Sequence, residues 1–215
     1  MRMSKDVEFY NFTPYSTLIL EAGKRVPPWQ PPPVCNCSLA RYNKRDTSSA
    51  VLQQEFQFLR ESFGDHVALY TDGSKIDTAV SCAMITGDVT RSHRLKNFMS
   101  IFTAEVYAVI LAINYVLQNH IKSSVIYSDS LSCLRTLSSL QTSKNFLVQR
   151  AQYLASVAAN KGYKLIFCWV PSHVGICGNE CADRAAASAL LGDISPLEVP
   201  SQDLKSNLKR AINAK

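Results

Sequence analysis

The chain has 215 residues, 47% of them apolar, which is enough for one ordinary folded domain with tails. Its net charge of +6 leans towards an acidic partner such as nucleic acid without requiring one. Seven cysteines, an odd number without the spacing of a secreted disulfide framework, argue for a reducing compartment. The longest apolar run, "AVILAIN", is too short to span a bilayer, and "MRMSKDVEFYNF" has no continuous apolar stretch of the signal-peptide kind. The expectation is an intracellular protein, of cytoplasm or nucleus, with no membrane partner.

Residues 1–48 differ from the rest. "VPPWQPPPVCNC" carries five prolines, a composition that reads as an extended, poorly ordered arm. A leading helix over 49–64 follows, with Leu52, Phe56 and Leu59 at i, i+4 and i+7. The domain proper is expected over 65–191. "HVALYTD" reads as a strand followed by a turn-rich "GSKID", and "AVSCAMIT" as a second strand with Gly87-Asp88 as a hairpin turn. "RSHRLKNFMS" is a third strand, and short turns make the three antiparallel neighbours. A long helix, "TAEVYAVILAINYVLQN", has Thr103 as its candidate cap.

"SSVIYSD" is the next strand, "SLSCLRTLSSL" a short helix, and "KNFLVQRAQYLASVAANKG" a helix stopped by Gly162. Then come a strand "YKLIFCWV", a loop "PSHVGICG" and a helix "NECADRAAASALL". Strands separated by helices pair in parallel through right-handed crossovers. The predicted fold class is therefore α/β, a mixed five-stranded sheet of three antiparallel and two parallel strands flanked by helices. Residues 192–215 form a basic tail in which Leu204, Leu208 and Ile212 recur at four-residue spacing, as on a surface helix.

Four carboxylates converge in this layout. Asp72 shares a strand face with Ala68 and Tyr70, and Asp129 ends the strand that places Val125 and Tyr127 on one face. In open α/β sheets, ligands collect at the carboxyl ends of the strands. Glu105 and Asp183 each begin an apolar helix stripe, Ala108-Val109-Ala112 and Ala186-Ala187-Leu190, so both point at the sheet. Taken singly, each has a plain alternative: a turn former at Asp72, a cap at Asp129, first-turn dipole partners at Glu105 and Asp183. Together, clustered acids repel and raise one another's pKa unless a hard divalent cation, Mg²⁺ or Mn²⁺, joins them.

The quoted motifs resemble those of the ribonuclease H type 1 domain, in the version found at the C-terminal end of non-LTR retrotransposon reverse-transcriptase polyproteins. "YTDGSK" is similar to the family's first strand, "SIFTAEVYAVILAI" to its first helix, "IYSDSLSCLRTL" to its strand-end aspartate, and "WVPSHVGICGNECADRAAASA" to its final loop and helix. The resemblance implies a ribonuclease H-like fold and Mg²⁺-dependent hydrolysis of the RNA strand of RNA–DNA hybrids. It implies Asp72, Glu105, Asp129 and Asp183 as ligands of two metal ions, one activating a water and the other stabilising the departing 3′ oxygen. His173 is implied as a proton-moving or product-releasing residue on a mobile loop. Ser74, Lys75 and Ser100 are the candidate nucleic-acid contacts. The sequence departs from the family pattern at Ile101, Phe102, Leu131 and Ser172, none of which is a ligand position. The expected partners are a hybrid and a reverse-transcriptase module of a longer polyprotein, with the chain itself a monomer.

Three rival readings are weaker. Cys168, His173, Cys177 and Cys181 have a zinc-like order but lack the opening Cys pair of a knuckle or finger, and Cys168 falls inside a strand. A transposase or integrase on the same fold spaces its acids differently and lacks the His-then-Asp ending. A non-catalytic nucleic-acid-binding remnant has no reason to retain a self-repelling carboxylate cluster.

Overall fold

The computed structural model describes Val26, residues 30–141 and residues 143–213. The N-terminal stretch read as lacking a signal segment lies outside the described residues, as does much of the expected arm.

The elements are β1 (Val34–Asn36), a 3₁₀ turn (Ser38–Arg41), α1 (Ser49–Ser62), β2 (Val67–Ile76), β3 (Ala79–Thr86), β4 (Val89–Leu95) and α2 (Ile101–Gln118). They continue with β5 (Ser123–Ser128), α3 (Leu131–Leu137), α4 (Phe146–Asn160), β6 (Lys164–Trp169), α5 (Cys177–Ala189) and α6 (Ser201–Asn213). The sheet has six strands in the order β1-β6-β5-β2-β3-β4. The antiparallel meander β2-β3-β4 and the parallel strands β5 and β6 are those expected.

The sixth strand corrects the five-strand expectation. Val34, Cys35 and Asn36, placed in the proline-rich arm, add to the edge in parallel with Ile166, Phe167 and Cys168. The prolines stop at Pro33, so the backbone N–H groups that a ladder needs resume at Val34. β2 also runs further than predicted: Gly73, Ser74 and Lys75 pair with Cys82, Ser81 and Val80 rather than turning.

Each face of the sheet buries an apolar layer. On one side Leu69, Val80, Met84, Ile126 and Phe167 meet α2, whose Val106, Val109, Ile113 and Val116 are buried. By length and composition α2 is apolar enough to cross a membrane, but most of it is enclosed here as a core helix. On the other side Tyr70, Tyr127 and Val125 meet Leu52 and Phe56 of α1 and Ala182 of α5. Tyr70 and Tyr127 stack at 4.9 Å, with Phe56 edge-on to Tyr127 at 5.3 Å.

The cap of α2 is Ser100, not Thr103: Ser100 Oγ accepts from the Thr103 N–H at 3.2 Å. Thr103 Oγ1 instead donates to Asp203 of α6 at 2.5 Å, which docks the basic tail helix against the start of α2.

Candidate active site

Sheet register builds the centre of the site. β2 and β5 run in parallel with Thr71 opposite Ser128, so the next step brings Asp72 beside Asp129 at the carboxyl ends of both strands. Both follow tyrosines packed in the layer shared with α1 and α5. Glu105 arrives from α2, in the opposite layer. Gly73 makes that approach feasible: a Cβ there would lie 2.9 Å from Ala104 Cβ and 3.0 Å from the Glu105 nitrogen. The missing side chain lets β2 and the second turn of α2 close to backbone contact.

Carboxylate oxygens of Asp72, Glu105 and Asp129 all lie within 4.8 Å of one another. Asp72 is 5% exposed and Glu105 6%. Asp183, half-buried on α5, lies close enough for its charge to raise the Asp72 carboxyl. Three of the four sequence-predicted acids therefore meet in one group, and Asp183 stands beside it in a second group with His173 and Glu180. None of the plain alternatives accounts for them. Asp72 sits inside a strand rather than a turn. The α3 cap position is Ser130, with no side-chain cap bond. Glu105 and Asp183 both stand beyond the first turns of their helices.

The electrostatics are those of an uncompensated cluster. Burial, then the charges of Asp129 and Asp183, push the Asp72 carboxyl up from 3.8 to about 8. Burial, then Asp72 and Asp129, hold Glu105 well above its ordinary value, with the Gly73 backbone opposing weakly. Burial also raises Asp129, against the lowering effects of Asn179 and His173. Glu105 Oε2 is buried with no hydrogen-bond partner. An orphaned buried oxygen among converging carboxylates is the donor set of a hard divalent cation, so these residues fit Mg²⁺ or Mn²⁺.

His173 is exposed on the loop between β6 and α5, with Nδ1 3.8 Å from Asp183 Oδ2, an ion-pair distance rather than a hydrogen bond. The proposed substrate contacts sit differently. Ser74 and Lys75 are strand residues, and Lys75 Nζ donates to the Met99 carbonyl at 2.6 Å. Ser100 caps α2 beside them. The zinc-like quartet does not assemble: Cys168 is buried in the core, and no group of potential metal ligands among the described residues includes a cysteine.

Three residues of the last motif carry no role in the sequence and gain one here. Asn179 is buried and donates to Asp129 Oδ2 at 3.4 Å. Trp169 Nε1 donates to the Asp129 carbonyl at 2.9 Å. Glu180 groups with His173 and Asp183 and accepts from the Gly175 N–H at 3.2 Å. Asn179 was recoverable: it lies four residues before Asp183, on the same helical face.

A family model, RNase H, matches residues 64–190. The chain belongs to the RNase H family. No curated protein matches it. Among solved structures it is similar to the RNase H1 of the halophilic archaeon Halobacterium salinarum NRC-1, at 21% identity and a TM-score of 0.45 over 58% of this chain and 97% of that one. It is also similar to LC11-RNase H1, isolated from compost by a metagenomic approach, at 18% identity and a TM-score of 0.48 over 59% of this chain and 96% of that one. A structure of LC11-RNase H1 in complex with an RNA/DNA hybrid is similar at 17% identity and a TM-score of 0.47, over 58% and 96% of the two chains.

Proposed function

We propose that this RNase H family member is an endonuclease that hydrolyses the RNA strand of RNA–DNA hybrids, dependent on Mg²⁺ or Mn²⁺. The observation that carries the reading is the meeting of Asp72, Glu105 and Asp129, with Glu105 Oε2 buried and without a hydrogen-bond partner.

Asp72, Glu105 and Asp129 would hold the cation, with Asp183 completing the set from α5. When bound, divalent cations supply positive charge to the phosphate oxygens and acidify water, and two together clamp the attacking and leaving oxygens of a phosphodiester. The residues of the chain do the rest. Asn179 and Trp169 fix Asp129 from its side chain and its backbone. Asp72, whose carboxyl feels the charges of both Asp129 and Asp183, is the acid proposed as a shared ligand. His173, exposed and 3.8 Å from Asp183, is placed to pass a proton between the site and solvent through its imidazole.

We further propose a retroelement setting, with a reverse-transcriptase module in the same polyprotein and a monomeric nuclease unit. The motif set and the proline-rich arm support it. An intracellular site of action, cytoplasm or nucleus, fits the seven free cysteines.

The test is a gel assay of a labelled hybrid with Mg²⁺, with EDTA, double-stranded DNA and double-stranded RNA as controls. Cuts confined to the RNA strand, requiring both hybrid and metal and lost in Asp72→Asn, are expected. A hybrid that is bound but left intact would identify a binding remnant.

A further inference from the structure

We infer that α1, outside the family-matched residues 64–190, is the positioning element of the His173 loop, with Gln53 its contact residue. The inference rests on the nuclease reading for its consequence, but not for its geometry.

The loop from Pro171 to Ile176 is an unfavourable piece of backbone. His173 adopts a φ of +51°, a left-handed conformation that a residue with a Cβ takes only when its surroundings impose it, and Gly175 follows at +84°. Two anchors impose it. On one side the Gly175 N–H donates to Glu180 of α5 at 3.2 Å. On the other, Gln53 Nε2 on α1 donates to the Val174 carbonyl at 2.7 Å. Lys44, just ahead of α1, reaches Ser172 Oγ at 3.5 Å.

The apolar contacts agree. Val174, 4% exposed, and Ile176 are packed in one cluster with Leu52 and Phe56 of α1. Gly175 lies so close to the Gln53 amide that a Cβ would overlap it. His173 is thus the one exposed side chain, 65% accessible, on a loop whose next residue is held from below by α1. A loop read from sequence as mobile is fastened in this chain by a helix that precedes the catalytic module. The hydrogen bond of Gln53 goes to the Val174 carbonyl, so its action on cleavage passes through the loop backbone.

The experiment compares wild type with Gln53→Ala and with Gln53→Glu, which keeps the side-chain shape but removes the donor. Gln53 is exposed, and alanine and glutamate are both strong helix formers, so both variants keep the helix. Hydrogen–deuterium exchange of residues 172–176 should speed up roughly three- to tenfold in both, the worth of one neutral hydrogen bond. In hybrid cleavage, kcat should fall by about the same factor with KM unchanged. In a His173→Ala background the Gln53 variants should slow cleavage no further. Unchanged exchange in the loop would overturn the inference. So would an equal loss of kcat with and without His173, since Gln53 would then act elsewhere. If wild type cuts no hybrid, the nuclease reading fails on its own, and the exchange measurement still decides whether α1 holds the loop.

Discussion

Replacing Asp72 with Asn should make the metal-free protein more stable at neutral pH while destroying its activity. The carboxyl ionises at 3.8 in an unfolded chain and at about 8 in the fold, because burial and the charges of Asp129 and Asp183 oppose it. Between those values the native state holds a proton that the unfolded state has released. The native state binding more protons means that stability falls as pH rises, by about 1.4 kcal/mol per pH unit. The contribution is intact below pH 3.8 and is lost progressively up to about pH 8. By pH 7 the accumulated loss from this group approaches about 4 kcal/mol, a large part of a total stability of roughly 5–15 kcal/mol.

Asparagine keeps the shape and cannot ionise. Urea unfolding in EDTA, from about pH 5 to about pH 9, should therefore show a shallower decline for Asp72→Asn and a gain of roughly 2–4 kcal/mol at neutrality. Mg²⁺ should stabilise wild type more than the variant, since only wild type presents the full ligand set. If Asp72→Asn were less stable than wild type across this range in EDTA, the four acids would not repel one another, and the argument for a metal centre would lose its physical basis.

Other outcomes follow from the same geometry. Gly73→Ala should push α2 away from β2, costing about 1–3 kcal/mol of stability and most of the cleavage, as urea unfolding and the hybrid assay would show. Asp203→Ala removes a buried carboxylate, 6% exposed, and its bond to Thr103; a loss of roughly 1.5–3 kcal/mol in urea unfolding is expected. His173→Ala should slow turnover by about 10- to 100-fold without abolishing it, since general acid–base help is worth about 10²–10⁴ in rate and this residue is exposed. Wild-type kinetics across neutral pH in that variant would remove the residue from the mechanism.

The carboxylate centre was legible in the sequence because it depends on two short-range rules. The two-residue strand period put Asp72 and Asp129 on faces that the observed register then brings side by side. The helical period put Glu105 among small residues that α2 packs inward. What was not legible depends on long-range pairing. β1 pairs with β6 across roughly 130 positions, and three residues after a proline run carry no periodic signal of their own. The second half of β2 reads as a turn because Gly73-Ser74-Lys75 has turn composition. In the fold that glycine answers to Ala104 on another element, which no local rule anticipates. Thr103 reads as a cap for the same reason: its partner, Asp203, is 100 residues away.

The two flanking segments share a logic that the family-matched module alone does not provide. An unliganded carboxylate cluster works against the fold that presents it, and its residues stay in place only if other contacts over-determine them. Asp203 on α6 ties down the first turn of α2, two residues before Glu105. Gln53 on α1 ties down the loop that carries His173 beside Asp183. Each contact fastens the backbone near an acid without touching it, so the ligands stay free for a cation. Both helices lie outside the family-matched residues, one on each side, so the stability the site takes from the fold is returned partly by chain that the family pattern does not include.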